Sequence, residues 1–320
     1  MDLLQWALLA GGLVALTLGG ELLVRGASRL AVRLGITPLV IGLTIVAYGT
    51  SAPELAVSVT AGLAGNADLA VANVVGSNSF NVLFILGVCA LIAPLAVQRQ
   101  LIRLDVPVMS AASILMIVFA WNGQINAIEG VIFVVLAVAY TWWLIRLSRS
   151  EPDQGEAEPE EGGFWLEHRL WGQLLLIAAG IGTLTLGSGW LVDGATALAR
   201  SLGVSDALIG LTIVAAGTSL PELMTSLVAT YKGQRDIAVG NVVGSNIFNI
   251  LFILGVSSII TPGGLNVGEH MLAFDMPVAL IAALACLPIF ITGARIARGE
   301  GALFLGAYLA YLGYMIYPYL

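Results

Sequence analysis

The sequence predicts an all-α membrane protein of ten transmembrane helices, arranged as two inverted five-helix repeats. Three observations predict this fold. Hydrophobic residues make up 58% of the 320 positions and charged residues 10%, whereas a soluble domain has about 25% charged residues. One long stretch recurs 168 positions further along, at 42 and again at 210. The basic residues fall almost entirely in alternate loops, as in a chain that crosses a membrane repeatedly.

The apolar segments set the number of spans, because crossing a bilayer takes about 20 residues. Ten such segments lie near 3–24, 37–64, 69–95, 104–121, 125–147, 170–192, 205–230, 236–260, 271–292 and 301–319. The first repeat then covers 1–149 and the second covers 169–320. Between them, 150–168 contains seven acidic residues and two prolines, a composition typical of a solvated linker.

The repeat is strongest over two motifs. GLTIVAYGTSAPEL at 42–55 returns as GLTIVAAGTSLPEL at 210–223, and NVVGSNSFNVLFILG at 73–87 returns as NVVGSNIFNILFILG at 241–255. Because each copy has five spans, the second copy enters the membrane from the opposite side. Twelve of the 13 basic residues then lie on one side, with Arg200 on the other. The positive-inside rule makes that side cytoplasmic, so we expect both termini outside and the linker 150–168 in the cytoplasm.

Prolines and glycines interrupt the first motif of each copy. Pro53 and Pro221 lack an N–H and clash with the carbonyl four residues earlier, so helices 2 and 7 should break there. Gly49 and Gly217 lower the cost of the irregular backbone. Inverted repeats with interrupted helices are typical of secondary transporters, whose ion sites lie near the midplane. We therefore expect broken helices 2, 3, 7 and 8 around a midplane ion site.

Each of these motifs carries one glutamate. A carboxylate at this depth is costly unless it is paired, and neither motif contains Lys or Arg. Glu54 shares one side of a helical turn with Thr50 and Ser51. The corresponding residues of the second copy are Thr218, Ser219 and Glu222. Two glutamates that meet from opposite repeats, with hydroxyl and carbonyl oxygens around them, would form the all-oxygen ligand set that Ca2+ prefers.

The second motif of each copy adds polar side chains without charge. Ser77 and Asn81 are four residues apart, as are Ser245 and Asn249, so each pair shares a helix face and offers oxygens that suit Na+. Structural interpretations exist for every one of these residues. A lone Glu could be protonated, Ser and Thr commonly bond to their own backbone, and Asn can link helices. The recurrence of the whole set at one offset favours an ion site.

Three other acidic residues are not expected in the site. Glu21 aligns with Gly189 in the second copy, so it has no counterpart, and we expect it to face water near a helix end. Asp105 and Asp275 each stand two residues before a proline and are expected to cap helix starts.

At these motifs the sequence resembles the cation/Ca2+ antiporter superfamily, especially its prokaryotic Na+/Ca2+ exchangers. The resemblance rests on GLTIVAYGTSAPEL with GSNSFN and GLTIVAAGTSLPEL with GSNIFN, and it covers nearly the whole chain. It implies ten helices, with ligands on helices 2, 3, 7 and 8. It implies that Ca2+ is bound by Thr50, Glu54, Thr218 and Glu222. For Na+ it implies Ser51, Ser77, Ser219, Ser245, the carbonyls of Ala47 and Ala215, both glutamates, and the positions of Asn81 and Asn249.

We therefore predict a secondary active antiporter that exchanges Na+ for Ca2+ by alternating access. An H+/Ca2+ antiporter, or one for another divalent cation, is the first alternative, and a cation channel is the second. No zinc motif is present and no His lies near a candidate Ser, so we expect no enzyme activity and no cofactor. We expect a monomer in the cell membrane, surrounded by the lipid bilayer and without a nucleic-acid partner.

Helices 1 and 6 are the expected mobile part, because glycine-rich stretches would let them slide. The glycines concerned are Gly11, Gly12, Gly19, Gly20, Gly180, Gly182, Gly187 and Gly189.

Overall fold

The structure is a computed structural model that describes residues 3–150 and 169–317, so the predicted linker at 150–168 lies outside it except for Ser150. Its helices are α1 Leu3–Leu34, α2a Pro38–Thr50, α2b Ala52–Leu63, α3 Ala67–Ile92, α4 Leu101–Ala120, α5 Ala127–Ser150, α6 Leu170–Ser201, α7a 206–217, α7b Leu220–Tyr231, α8 Arg235–Ile260, α9 Met271–Ile291 and α10 Arg298–Ile316. Its strands are β1 Leu95–Ala96, β2 Gln124–Ile125, β3 Leu265–Asn266 and β4 Arg295–Ile296. The prediction of an all-α membrane protein is confirmed.

Length and composition identify the helices able to cross a membrane. Among the described residues seven qualify, or eight if the bent pair α2a and α2b counts as one span. The seven are α1, α3, α4, α5, α6, α8 and α9. The count of ten spans and the inverted arrangement of the repeats stay predictions.

The centre of the molecule is formed by α3 and α8. In their most apolar windows 72% and 78% of residues are buried, against 28% in α5 and in α6. Helices at the rim expose large apolar side chains instead, such as Val118, Val138 and Ile281. In a bilayer these rim side chains face lipid. The two most buried helices, α3 and α8, are those that carry the second motif of each copy.

The prediction of broken helices is correct for α2 and α7 and wrong for α3 and α8. Helix α3 runs through Phe80–Leu86, and α8 through Asn249–Leu254, as π-helix. Neither helix contains a proline, so every backbone N–H remains available, and the π turns widen the helix without interrupting it. The irregular turns begin at Phe80 and Asn249, next to the polar residues of the second motif.

Two short antiparallel strand pairs join the halves of the chain. Strand β1, between α3 and α4, pairs with β4, between α9 and α10. Strand β2, between α4 and α5, pairs with β3, between α8 and α9. Each pair therefore ties one loop of the first half to one loop of the second.

Helices α1 and α6 cross closely because glycines face glycines. A Cβ on Gly12 would lie 2.7 Å from the backbone N of Leu191, and one on Gly180 would lie 2.6 Å from the backbone N of Leu23. Gly19 and Gly187 make equivalent approaches, whereas Gly182 and Gly189 meet nothing within 4 Å. Only some of the glycines expected to permit sliding therefore line the crossing.

Candidate functional site

The first motif of each copy forms a helix break. Between α2a and α2b the chain bends by 45° at Ser51, two residues before Pro53. Between α7a and α7b the helix is interrupted at Thr218 and Ser219, just before Pro221. The two breaks are therefore where the missing proline N–H was expected to place them.

The motif glycines have a different role from the one expected. Neither Gly49 nor Gly217 has a positive φ, so their conformational freedom is not used. A Cβ on Gly49 would lie 2.4 Å from the side chain of Ile181, and one on Gly217 would lie 2.5 Å from that of Val192. Both glycines leave room for side chains of α6, whose terminal carbons would have to shift to admit a Cβ.

The two glutamates stand at the first turns of α2b and α7b and are fully buried. The exposed fraction of both Glu54 and Glu222 is 0%. Ser51 donates a hydrogen bond to Glu222 Oε1 at 2.8 Å, and Ser219 donates one to Glu54 Oε1 at 3.0 Å. Each break thus contacts the carboxylate of the other, and each carboxylate also lies at a helix N-terminus, where negative charge is favoured.

The second motifs complete this arrangement. Ser219 Oγ lies 3.0 Å from Ser77 Oγ, and the hydroxyl of Ser245 neighbours Glu222. Asn81 donates to Asn246 Oδ1 and Asn249 donates to Asn78 Oδ1, both at 3.0 Å. The serine contacts connect the break-bearing helices to α3 and α8, and the asparagine bonds connect α3 to α8.

The hydroxyl of Ser245 and four carboxylate or amide oxygens of this cluster are buried without a hydrogen-bond partner among the described residues. The four are Glu54 Oε2, Glu222 Oε2, Asn81 Oδ1 and Asn249 Oδ1. Leaving a buried acceptor unsatisfied costs about 1–3 kcal/mol, and more when it is charged. All four are hard oxygen atoms, the type of ligand that Na+ and Ca2+ take.

Threonine hydroxyls and backbone carbonyls lie at the edges of the cluster. Thr50 donates to Asn241 Oδ1 at 3.1 Å and lies 3.3 Å from the carbonyl of Ala47. Thr218 donates to Asn73 Oδ1 at 3.3 Å. Ala215, the counterpart of Ala47, is exposed. The structure thus brings the predicted ligands of the two copies to one place.

Sequence reasoning missed Asn73 and Asn241. Asn73 donates to the main-chain carbonyl of Glu54, and Asn241 donates to that of Glu222, at 3.2 and 3.3 Å. They occupy the same position of the repeat and open the motif NVVGSN. Their identical recurrence, four residues before Ser77 and Ser245 and on the same helix face, was the available signal.

One side of the cluster opens onto a cavity of about 560 Å³. Its wall is built from the starts of α3, α7a and α9 and the end of α10, and it includes Asn73, Ser77, Ala215 and Thr218. Thr50, in contrast, is only 1% exposed. Two ligands of the second break, Ala215 and Thr218, therefore line the cavity, while their counterparts in the first break are enclosed and both glutamates are buried.

The acidic residues outside the site have partners that were not expected. Asp105 accepts hydrogen bonds from Tyr140 and Gln100, and Asp275 accepts one from Tyr311. Neither carboxylate caps a helix, because α4 and α9 begin four residues earlier as π-helix. Glu21 lies within α1 rather than at its end and forms ion pairs with Arg25 and Lys232, at 2.7 and 2.9 Å.

Comparison with known proteins agrees with this geometry. The family model described as sodium/calcium exchanger protein matches residues 4–146 and 172–317. The inner membrane protein YrbG of Escherichia coli is 37% identical over 98% of this chain and 97% of its own length. The sodium/calcium exchanger MaX1 of Methanosarcina acetivorans is 33% identical over 99% of this chain and 100% of its own. A solved structure of the sodium-calcium exchanger NCX_Mj, soaked with 10 mM Na+ and zero Ca2+, superposes with a TM-score of 0.83 at 31% identity, covering 98% and 99% of the two chains.

Proposed function

Because the chain belongs to the sodium/calcium exchanger family, we propose that it is a secondary active antiporter that exchanges Na+ for Ca2+ across the membrane. The observation that carries this proposal is the crosswise contact of the two breaks, in which Ser51 reaches Glu222 and Ser219 reaches Glu54. This contact brings two buried carboxylates together. The serine side chains that donate to their oxygens are neutral hydroxyl groups, which do not balance the negative charge. Such a pair requires a cation for its charge to remain in the membrane.

The Ca2+ ligands in this proposal are Thr50, Glu54, Thr218 and Glu222. Ca2+ takes six to eight oxygen ligands, and two carboxylates with two hydroxyls provide up to six. The unpartnered oxygens of both glutamates support this assignment. Ca2+ is the cargo here, so the site has to bind it and also release it.

The Na+ ligands in this proposal come from both motifs. They are Ala47, Ser51, Glu54, Ser77, Asn81, Ala215, Ser219, Glu222, Ser245 and Asn249. Sharing the two glutamates between Na+ and Ca2+ makes occupation by the two cations mutually exclusive. That exclusion is the basis of exchange, because binding of one cation then requires that the other leave.

The architecture proposed for this transport is a monomer of two inverted five-helix repeats, 1–149 and 169–320. Its single ion site opens to one side of the membrane and then to the other. With the termini outside, the starts of α3, α7a and α9 and the end of α10 are on the outer side. The cavity next to Thr218 then opens to the outside. The contact of α1 with α7b, where Lys232 meets Glu21, then lies on the cytoplasmic side.

The test is 45Ca2+ flux into vesicles that contain the purified protein, with Na+ and pH gradients imposed separately. We expect a Na+ gradient at constant pH to drive Ca2+ uptake, and a pH gradient without Na+ to drive none. Uptake driven by pH alone would replace this proposal with an H+/Ca2+ antiporter. Uptake that needs no counter-gradient would replace it with a channel.

A further inference from the structure

Asn73 and Asn241 hold the two helix breaks by the same three hydrogen bonds. Asn241 Nδ2 donates to the main-chain carbonyl of Glu222 at 3.3 Å and to Ser226 Oγ at 3.0 Å. Asn73 Nδ2 donates to the carbonyl of Glu54 at 3.2 Å and to Ser58 Oγ at 3.0 Å. A carboxamide nitrogen has two hydrogens, so both are used in each copy. The orientation of each amide is thereby set, with its oxygen directed away from its own break.

The oxygen of each amide reaches into the other repeat. Asn241 Oδ1 accepts from the hydroxyl of Thr50 at 3.1 Å, and Asn73 Oδ1 accepts from that of Thr218 at 3.3 Å. A hydroxyl has one hydrogen and two lone pairs. Once the hydrogen is donated to the amide, the hydroxyl oxygen can offer only lone pairs to a cation.

A competing acceptor makes the asparagine necessary at Thr50. The carbonyl of Ala47 lies 3.3 Å from the same hydroxyl and is itself a proposed Na+ ligand. If the amide oxygen were removed, the hydroxyl hydrogen would turn toward that carbonyl. This rotation would redirect the lone pairs of Thr50 and occupy the carbonyl of Ala47.

We propose that Asn73 and Asn241 are positioning residues that orient the hydroxyls of Thr218 and Thr50 for Ca2+, each acting across the repeat interface. This inference rests on the proposed function, because it concerns the same site. The side chains contact the ligands and not the ion. Their absence should weaken Ca2+ binding more than Na+ binding, since Ser51 and Ser219 of the Na+ site are oriented by the glutamates instead.

The two asparagines differ in their access to water. Asn241 is fully buried, whereas Asn73 lines the cavity. Water from the cavity can replace an amide oxygen beside Thr218, but the side chain of Thr50 is enclosed. The effect of substitution should therefore be larger at Asn241 than at Asn73.

The experiment measures, in vesicles, the KM for Ca2+ and the half-saturating Na+ concentration of variants that retain the wild-type elution profile. For Asn241→Ala we expect the KM for Ca2+ to rise about tenfold, the effect of one misoriented hydroxyl ligand in a cation site. Half-saturating Na+ should rise less, by about threefold, because the turned hydroxyl affects one Na+ ligand, the carbonyl of Ala47. Asn73→Ala should raise the KM for Ca2+ by about threefold. Asn122→Ala, in the loop between α4 and α5, is the matched control and should leave both values at wild type.

A second pair of variants separates orientation from general packing. In a Thr50→Val background, Asn241→Ala should have no further effect on the KM for Ca2+, because no hydroxyl is left to orient. In a Thr50→Ser background its effect should remain. An equal loss for Ca2+ and Na+, or an undiminished effect without the hydroxyl, would overturn the inference. If Asn241→Ala does not fold, the same test compares the effect of Asn73→Ala in the wild type with its effect in a Thr218→Val background. Absence of Na+-driven Ca2+ uptake by the wild type would instead overturn the proposed function.

Discussion

The two helix breaks have nearly the same sequence and opposite environments. In the first, Val46, Ala47 and Thr50 are at most 1% exposed. In the second, their counterparts at 214, 215 and 218 face the cavity, and Val214 is 48% exposed. Ala47 and Thr50 are thus enclosed, whereas the identical residues Ala215 and Thr218 line the cavity. Within the motif the breaks differ at Tyr48, whose ring stacks on Phe248, and at its counterpart Ala216, which lines the cavity. The difference teaches that access to this site depends on this side chain together with the packing around each break.

Helices α1 and α6 also contact the two breaks differently. Gly20 of α1 lies against Met224 and Val228 of α7b. Its counterpart in α6 is Ser188, which donates a hydrogen bond to the carbonyl of Gly217 at 2.5 Å. Equivalent positions of the two copies therefore make different contacts, and the helix pair covers the two breaks unequally.

The largest effect should come from replacing either carboxylate, because each break carries one of them. Glu54→Gln and Glu222→Gln should each lower Na+-driven 45Ca2+ flux by about 100-fold or more, because a neutral amide removes one of two charges that bind the ion. The control is Glu129→Gln, whose carboxylate accepts from the backbone N–H of Asn126 at the start of α5, and it should transport normally. Retained flux at normal KM in either glutamine variant would remove that glutamate from the site.

Accessibility of the breaks is measured directly by cysteine labelling. Val46→Cys and Val214→Cys, placed in a chain that lacks Cys89 and Cys286, differ only in the break they report. We expect a polar thiol reagent to modify the cysteine at 214 at least about tenfold faster, because only the accessible thiol meets water and ionises. Equal rates would mean that the enclosed and open breaks interchange faster than labelling.

The crossing of α1 and α6 supports both breaks, so overpacking it should destabilise the molecule. Gly180→Ala would place a methyl group 2.6 Å from the backbone N of Leu23, at a cost of about 1–3 kcal/mol. Thermal unfolding in detergent should then show Tm lowered by several degrees. On the same helix, Gly182→Ala meets nothing within 4 Å and should leave Tm unchanged or slightly raised. Equal Tm values for the two variants would argue against the close crossing.

The smallest effect is expected at the ion pair of α1 and α7b. Partly exposed pairs contribute about 0.2–1 kcal/mol, so Lys232→Met should shift the balance between the two access states by up to about fivefold. The measurement is the apparent affinity for Ca2+ on each side of oriented vesicles. Arg235→Met removes the same charge three residues later and should shift the balance less. Equal shifts would indicate a general charge effect.

The sequence predicted the parts of the site that depend on local chemistry. Pro53 and Pro221 interrupt a helix wherever they stand in one, and the breaks lie just before them. The sequence could not indicate that α3 and α8 would continue without a break through turns of π-helix. It also could not pair Asp105 with Tyr140 or Asp275 with Tyr311, because these contacts form between helices.

Residue type and spacing by themselves determined the membrane class, the duplication, the two interruptions and the identity of the polar side chains. These properties follow from hydrophobicity and from the geometry of a single turn, which neighbouring residues set. Only the tertiary structure decided that each serine would contact the opposite glutamate, that Asn73 and Asn241 would hold the breaks, and that one break would be open. The serine–glutamate contacts join residues 171 and 165 positions apart, and the asparagines bond to a neighbouring helix of their own repeat. Close packing between helices determines which of these contacts form.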